Sequence, residues 1–321
     1  MKAEDWMRTV IRIIICLCGI IGNNWLALSS LPKSISQLRT NDMLFVNLAV
    51  SNLITNFFVD IPDIMDFVNR FPDGRSYCSA FSFCSELSES SSIITTMFIT
   101  VYWHQKLVGS LKHGGAPVPM DNIRHAAAML AGSWTIAFVF NIPHLFFVSN
   151  EHNSENHTLH KECSEKYPSP EVKQAYEILY VIIVNLIPMI GILTASIQIT
   201  STLLQNEKRM KANNKTDVKN ASAEDPKPQQ GSTGAVEPKS HSKSSSSSGS
   251  LVRAAKSVLA VATIFLICWV IHIIVTVIST FKDTVLLMEM ASYIGALYTN
   301  FIPYIYLHGV KKFACCCTDR G

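Results

Sequence analysis

The chain has 321 residues, 48% of them hydrophobic and only 16% charged, with a formal net charge of +3. So few charges fall short of the roughly 25% usual for soluble domains, and the high hydrophobicity excludes an intrinsically disordered chain. The small, dispersed positive charge excludes a nucleic-acid binder, and 9 cysteines in this length exclude a disulfide-dense mini-protein, which leaves a membrane protein or a soluble protein with a very large core.

The apolar residues are gathered into runs at 10–31, 43–65, 126–148, 178–204, 254–281 and 285–307. Each reaches the roughly 20 residues that cross a hydrocarbon core of about 30 Å. None alternates in polarity as a membrane barrel strand would. The first span follows a very short N-terminal segment and exceeds a signal-peptide apolar region of about 7–15 residues, so it is predicted to stay as a signal anchor, ending at Pro32. The second carries Pro62 and ends near Pro72-Asp73-Gly74; Asp60 and Asp63, near its end, are expected to be solvated.

A third span is predicted over 78–103, between these runs. Its first half is serine-rich and holds Glu86 and Glu89, while its second half is apolar and neither half contains Pro or Gly. A spanning helix with a polar half must turn that half to protein or water, so it is predicted to be the central helix. Gly114, Gly115 and Pro117 separate it from the fourth span, and Pro168 and Pro170 precede the fifth. Pro62, Pro143, Pro188 and Pro303 fall inside spans, where neighbouring groups satisfy the freed carbonyls. The fold class is all-α, a seven-transmembrane helix bundle over 1–315 with a short cytoplasmic tail at 309–321.

Seven spans put the termini on opposite sides. With the N-terminus outside, 18 Lys and Arg lie inside and 9 outside, as the positive-inside rule asks; the 203–253 loop supplies half of the inner ones, and without it the sides tie. Other features agree. Asn156-His157-Thr158 is a glycosylation sequon in the 149–176 loop. Cys78 and Cys163 fall on the oxidising side. Cys315, Cys316 and Cys317 follow Lys311-Lys312 as a cytoplasmic palmitoylation site would. The acids divide as 8 inside and 16 outside, so a nearly neutral total conceals a polarised protein. The 204–253 segment has almost no apolar residues and ends in a serine run; it is expected to be a disordered cytoplasmic loop, either a solvated tether or a phosphorylatable one.

Several motifs resemble the rhodopsin-like (class A) receptor superfamily: Gly22-Asn23 in the first span, Leu48-Ala49-Val50-Ser51-Asn52 in the second with Asn for the usual Asp, Trp134 in the fourth and Pro188 in the fifth. Phe265-Leu266-Ile267-Cys268-Trp269 resembles the sixth-helix motif, with Ile271 where Pro is usual, and Pro303-Tyr304-Ile305-Tyr306 the seventh-helix motif, with Ile302 for Asn. The Asp-Arg-Tyr triplet of the third helix is replaced by Tyr102-Trp103-His104. With Asn52 and Leu31-Pro32-Lys33-Ser34, that departure is similar to vomeronasal type 1 pheromone receptors, and Trp103-His104-Gln105-Lys106-Leu107-Val108 looks like their fish branch, the olfactory receptors related to class A.

The resemblance implies a chemosensory receptor in the plasma membrane that binds a small organic odorant or pheromone from outside and activates a heterotrimeric G protein inside. It implies no enzymatic activity and no cofactor. Cys78 and Cys163 are expected to form a bridge, with Cys84 the competing partner. Glu86 and Glu89, three apart on one helix face, are expected to contact ligand; the alternative is pairing with other helices or water. Trp269, His272, Tyr293, Tyr298 and Asn300 are further candidates, each of which could simply be a packed bundle residue. Asn52, Tyr102, Trp103, His104, Pro303 and Tyr306 are candidates for activation and G-protein coupling. His152, His157 and His160 lack the ligands of a zinc site, and no phosphate loop or nucleophile motif is present. The alternatives are a receptor of another branch, such as bitter taste, and a membrane transporter, against which the absence of an internal repeat argues.

Overall fold

The computed structural model describes residues 3–67, 74–112, 118–150, 163–221, 242–281 and 285–309. The first span is α1 (Ala3–Ser30). The second is α2 (Thr40–Thr55) running through a π-helical turn (Asn56–Asp60) into α3 (Ile61–Phe67), and the third is α4 (Arg75–Lys112). The fourth is α5 (Ile123–Phe146). The fifth is α6 (Pro170–Tyr180), a second π-helical turn (Val181–Leu186) and α7 (Ile187–Ala221). The sixth and seventh are α8 (Ser242–Phe281) and α9 (Val285–Gly309). Five of the helices among the described residues are long and apolar enough to cross a membrane by composition alone. The third span is not one of them, because its serines and acids lower its hydropathy.

Each π-helical turn lies just before a proline, and the cause is local. A proline inside a helix lacks an N–H and drives its ring against the carbonyl four residues back. For Pro62 that carbonyl belongs to Phe58, and for Pro188 to Val184, both within the wide turns. Widening the turn relieves the clash: the Ile61 N–H reaches back to the Asn56 carbonyl. Pro143 and Pro303 sit inside unbroken helix.

The bundle has polar groups inside and apolar groups outside, the arrangement lipid demands. Leu17, Ile21, Leu28, Phe138, Val139, Ile190 and Ile267 are exposed on its outer surface. The third span is enclosed by the second, fourth, fifth and sixth. Its serines are buried and bonded: the Ser51 and Ser91 hydroxyls lie 2.7 Å apart, Ser92 donates to Asn52 Oδ1 (2.8 Å), and Thr55 donates to Ser88 (2.9 Å). The prediction of a central third helix is therefore right, and for the predicted reason.

Gly19 and Gly22 let the first span approach the seventh. A Cβ on Gly19 would overlap the Asn300 amide, and one on Gly22 would come within 2.7 Å of the Tyr304 ring. The Tyr304 hydroxyl in turn donates to the Cys18 carbonyl at 2.7 Å. Close helix contacts through small residues are the usual solution in membranes.

Two differences from the sequence-based expectations stand out. A short antiparallel ribbon joins β1 (Val148–Asn150) to β2 (Cys163–Glu165), pairing Asn150 with Cys163, and it lies against the third span. The fifth and sixth helices also run into the segment expected to be disordered, to Ala221 and from Ser242. Within the first extension Glu207 and Lys211 pair one turn apart at 2.6 Å. Asn156, Cys315, Cys316 and Cys317 lie outside the described residues, as does the side chain of Cys163.

Candidate functional site

An interior cavity of about 200 Å³ opens among the second, third, sixth and seventh spans. The second contributes Thr55, Val59 and Asp60, the third Ser85, Glu89 and Ile93. The sixth supplies Phe265, Cys268, Trp269 and His272; Tyr298 and Thr299 come from the seventh. Its aromatic wall is continuous: Phe265 meets Tyr298 edge-on at 5.0 Å, and Trp269 stacks on His272 at 5.0 Å.

Four of the six expected ligand residues, Glu89, Trp269, His272 and Tyr298, line this cavity. Glu86 does not. It accepts a hydrogen bond from the Tyr180 hydroxyl at 2.7 Å, in a joint where Tyr180 also meets Ser90 at 3.0 Å and Asn141 donates to Ser90 at 3.3 Å. Residues three apart differ by about 60° around a helix, enough here to send one acid toward the fifth span and the other into the cavity. Tyr293 is also elsewhere. Its hydroxyl donates to the Arg8 carbonyl (3.4 Å) and the Arg12 guanidinium lies 4.9 Å from its ring centroid, so it ties the seventh span to the first.

Asp60 corrects the opposite way. Expected to be solvated, it lines the cavity and accepts from Asn56 Nδ2 at 2.7 Å and Asn300 Nδ2 at 3.4 Å. The π-helical turn at Asn56–Asp60 shifts the helix register here. An acid two residues before Pro62 is the signal the sequence offers, though Asp63 and Asp66 follow it closely.

Beneath the cavity a chain of amides crosses the bundle. Asn52 Nδ2 donates to Asn23 Oδ1 at 3.0 Å, and Asn23 Nδ2 donates to the Gly19 and Thr299 carbonyls at 3.0 and 3.3 Å. Asn56 Nδ2 donates to Asn300 Oδ1 at 2.6 Å. In the fourth span Trp134 donates to Asn47 Oδ1 at 2.7 Å. Near the ribbon end, Cys78 is held in a disulfide and Cys84 is a free thiol.

The opposite end of the third span holds Tyr102, Trp103 and His104. Trp103 Nε1 donates to Asn41 Oδ1 at 3.1 Å. The Tyr102 hydroxyl donates to Asp121 Oδ1 at 3.2 Å, and Lys106 Nζ lies 2.7 and 2.9 Å from the two Asp121 oxygens. Burial alone would raise the Asp121 carboxyl; the Lys106 ammonium beside it outweighs that and holds it below the usual carboxylate range. His104 is half-buried without joining this clamp. Pro303 and Tyr306 are buried in the seventh span, with the Tyr306 ring 4.8 Å from Phe45.

Seven spans around a polar core, with a ligand-sized cavity between four of them, define a multi-pass membrane protein of the seven-helix receptor kind. Residues 23–308 match the family model described as 7 transmembrane receptor (rhodopsin family), and the chain belongs to that family, a family of signalling receptors and not of enzymes. The chain is also similar to a cholecystokinin receptor of Xenopus laevis, with 24% identity over 195 residues, which is 59% of this chain and 41% of that receptor. The match thus spans about two fifths of that relative's length.

Proposed function

We propose that this protein is a chemosensory receptor, of the pheromone or odorant kind, that takes a small organic ligand from outside the plasma membrane and activates a heterotrimeric G protein. The observation that carries this reading is the cavity. At about 200 Å³ it lies below the roughly 300–1,000 Å³ of drug-sized sites, so it suits a small molecule. Ligand acts by favouring the active arrangement of the helices over the resting one; Trp269 and Tyr298 are the contacts that sense it. Asn52, Tyr102, Trp103, His104, Pro303 and Tyr306 connect that change to the G protein.

The orientation in this proposal is N-terminus extracellular. It rests on the inner excess of Lys and Arg, the sequon at Asn156 and the cysteine triplet Cys315–Cys317, proposed as sites of glycosylation and palmitoylation. The partner of Cys78 is proposed to be Cys163: Cys84 is free, and the ribbon that carries Cys163 lies against the third span. The bridge would pin the ribbon across the mouth of the bundle.

The similarity to a cholecystokinin receptor favours a second reading, a peptide ligand. Cells expressing the full chain with a G-protein reporter separate the two. A response to members of a small-odorant panel and none to cholecystokinin is expected. Activation by the peptide alone would overturn the chemosensory reading, and solute flux without G-protein activation would favour a transporter.

A further inference from the structure

The cavity is unevenly provided with polar groups. Glu89 and Asp60 both line it, and no Lys or Arg does so among the described residues. Asp60 is already supported: Asn56 and Asn300 donate to it, and Arg12 of the first span acts on it. Glu89 is not. No hydrogen bond reaches its carboxyl from any described residue, and the neighbouring Glu86 acts on it with like charge. A carboxylate removed from water without a counter-ion is costly, and retention of such a group inside a membrane marks function more often than structure.

A second, independent observation points the same way. Tyr298 is only 9% exposed and lines the cavity, its hydroxyl set against the third-span Thr96 and Ser92. The Trp269 indole N–H, from the same cavity wall, is buried and unbonded. Buried polar groups are nearly always satisfied, so this donor awaits a ligand with a hydrogen-bond acceptor of its own. The Phe265, Trp269 and Tyr298 rings form faces that attract a cation.

Resting on the small-ligand reading above, we infer that the cavity takes a small organic ammonium ion, its charged nitrogen against Glu89 and its apolar body among Phe265, Trp269 and Tyr298. Glu89 supplies the opposite charge, Asp60 reinforces the negative field from the second span, and the Trp269 N–H takes an acceptor elsewhere on the ligand. A carboxylate of the same skeleton would face Glu89, whose charge no Lys or Arg lining the cavity offsets among the described residues. An alcohol would leave Glu89 without its counter-ion. The third-span acid thus selects by charge, while the aromatic wall and the small volume select by shape.

The test uses the full-length receptor in lipid nanodiscs and three matched sets: benzylamine, 2-phenylethylamine and tyramine, each with its alcohol and carboxylic acid counterpart. Ligand binding is read as the shift of thermal unfolding, which mass action requires of anything that binds the folded state alone. At least one amine is expected to shift unfolding, its alcohol and acid to do so at least tenfold less tightly, and Glu89→Gln to weaken the amine at least tenfold. Asp60→Asn is expected to weaken it less. Unfolding of each variant without ligand shows whether it is folded. Equal binding of an alcohol or acid, undiminished amine binding by Glu89→Gln, or no shift by any amine overturns the ammonium assignment. Basal nucleotide exchange by the unliganded receptor on added G proteins tests the receptor reading separately, so the two can fail apart.

Discussion

Asn52→Leu removes the centre of the amide chain while nearly conserving volume. Asn52 is 1% exposed, donates to Asn23 Oδ1 at 3.0 Å and accepts from Ser92 at 2.8 Å. Ser92 has an alternative partner, because a helical hydroxyl can turn to the carbonyl four residues back; Thr95 and Thr100 do so at 2.6 and 2.7 Å. Asn23 Oδ1 has none, since its own amide nitrogen is committed to Gly19 and Thr299. The cost is therefore one stranded acceptor. A buried unsatisfied group costs about 1–3 kcal/mol in general, while hydrogen bonds measured inside membrane bundles average about 0.6 and reach about 1.7 kcal/mol, so about 1–2 kcal/mol is expected. The assay is thermal unfolding in detergent with a thiol-reactive dye, reporting on the free thiols Cys16, Cys18, Cys84 and Cys268 as the bundle opens. Val50→Ala, on the outward face of the same helix, is the control. A double-mutant cycle with Asn23→Leu should show coupling of at least about 0.5 kcal/mol. Unfolding of Asn52→Leu at or above the wild-type temperature, or additivity in the cycle, would refute the proposed role of the chain.

Three further predictions use the same measurement. Gly19→Ala should destabilise by about 1–3 kcal/mol, as overpacking does, because its methyl group displaces Asn300 from Asn56 and Asp60, whereas Gly132→Ala, with open space around it, should be neutral or slightly stabilising; equal effects at both sites would contradict the close approach of the first and seventh spans. Tyr180→Phe should cost about 1.5–3 kcal/mol, the range for a hydrogen bond to a charged group, because it strands Glu86, and Glu86→Gln should cost less since the amide still accepts. Asp121→Asn should cost no more than about 1 kcal/mol, because the Lys106–Asp121 pair is partly exposed, at 39% and 31%. The folded-state pKa of Asp121 is depressed, so the clamp's contribution is fully present above the ordinary Asp value of about 3.9 and fades only as pH falls through the lower folded value. Stability of wild type relative to Asp121→Asn should hence be flat from roughly pH 5 to 8; a decline within that window would contradict the ion pair.

The spans were legible because crossing lipid is a constraint on length and polarity along the chain, which a sequence states directly. The third span shows how far that goes: its serines predicted a central helix, and Ser88, Ser90, Ser91 and Ser92 are all buried. Helix rotation is less legible, since both lipid and the bundle interior accept apolar side chains and the contrast that fixes a soluble helix's buried face is weak. Glu86 and Glu89, three apart on one helix, accordingly meet different neighbours, Tyr180 of the fifth span and the cavity. Asp60 lies near the end of its span, which suggests water, yet the wide turn before Pro62 carries it to the cavity. A better guide to the inward face is the amide side chain. Asn23, Asn47, Asn52, Asn56, Asn141 and Asn300 all lie within apolar runs and all are hydrogen-bonded inside the bundle. An amide cannot shed its polarity by changing protonation, so in lipid it has to find partners within the protein. An amide bonded to another helix therefore marks an inward direction, whereas the exposed Asn24 turns to the Ile20 carbonyl of its own helix; Asn56 with Asn300 points to Asp60, and so to the second acid of the cavity.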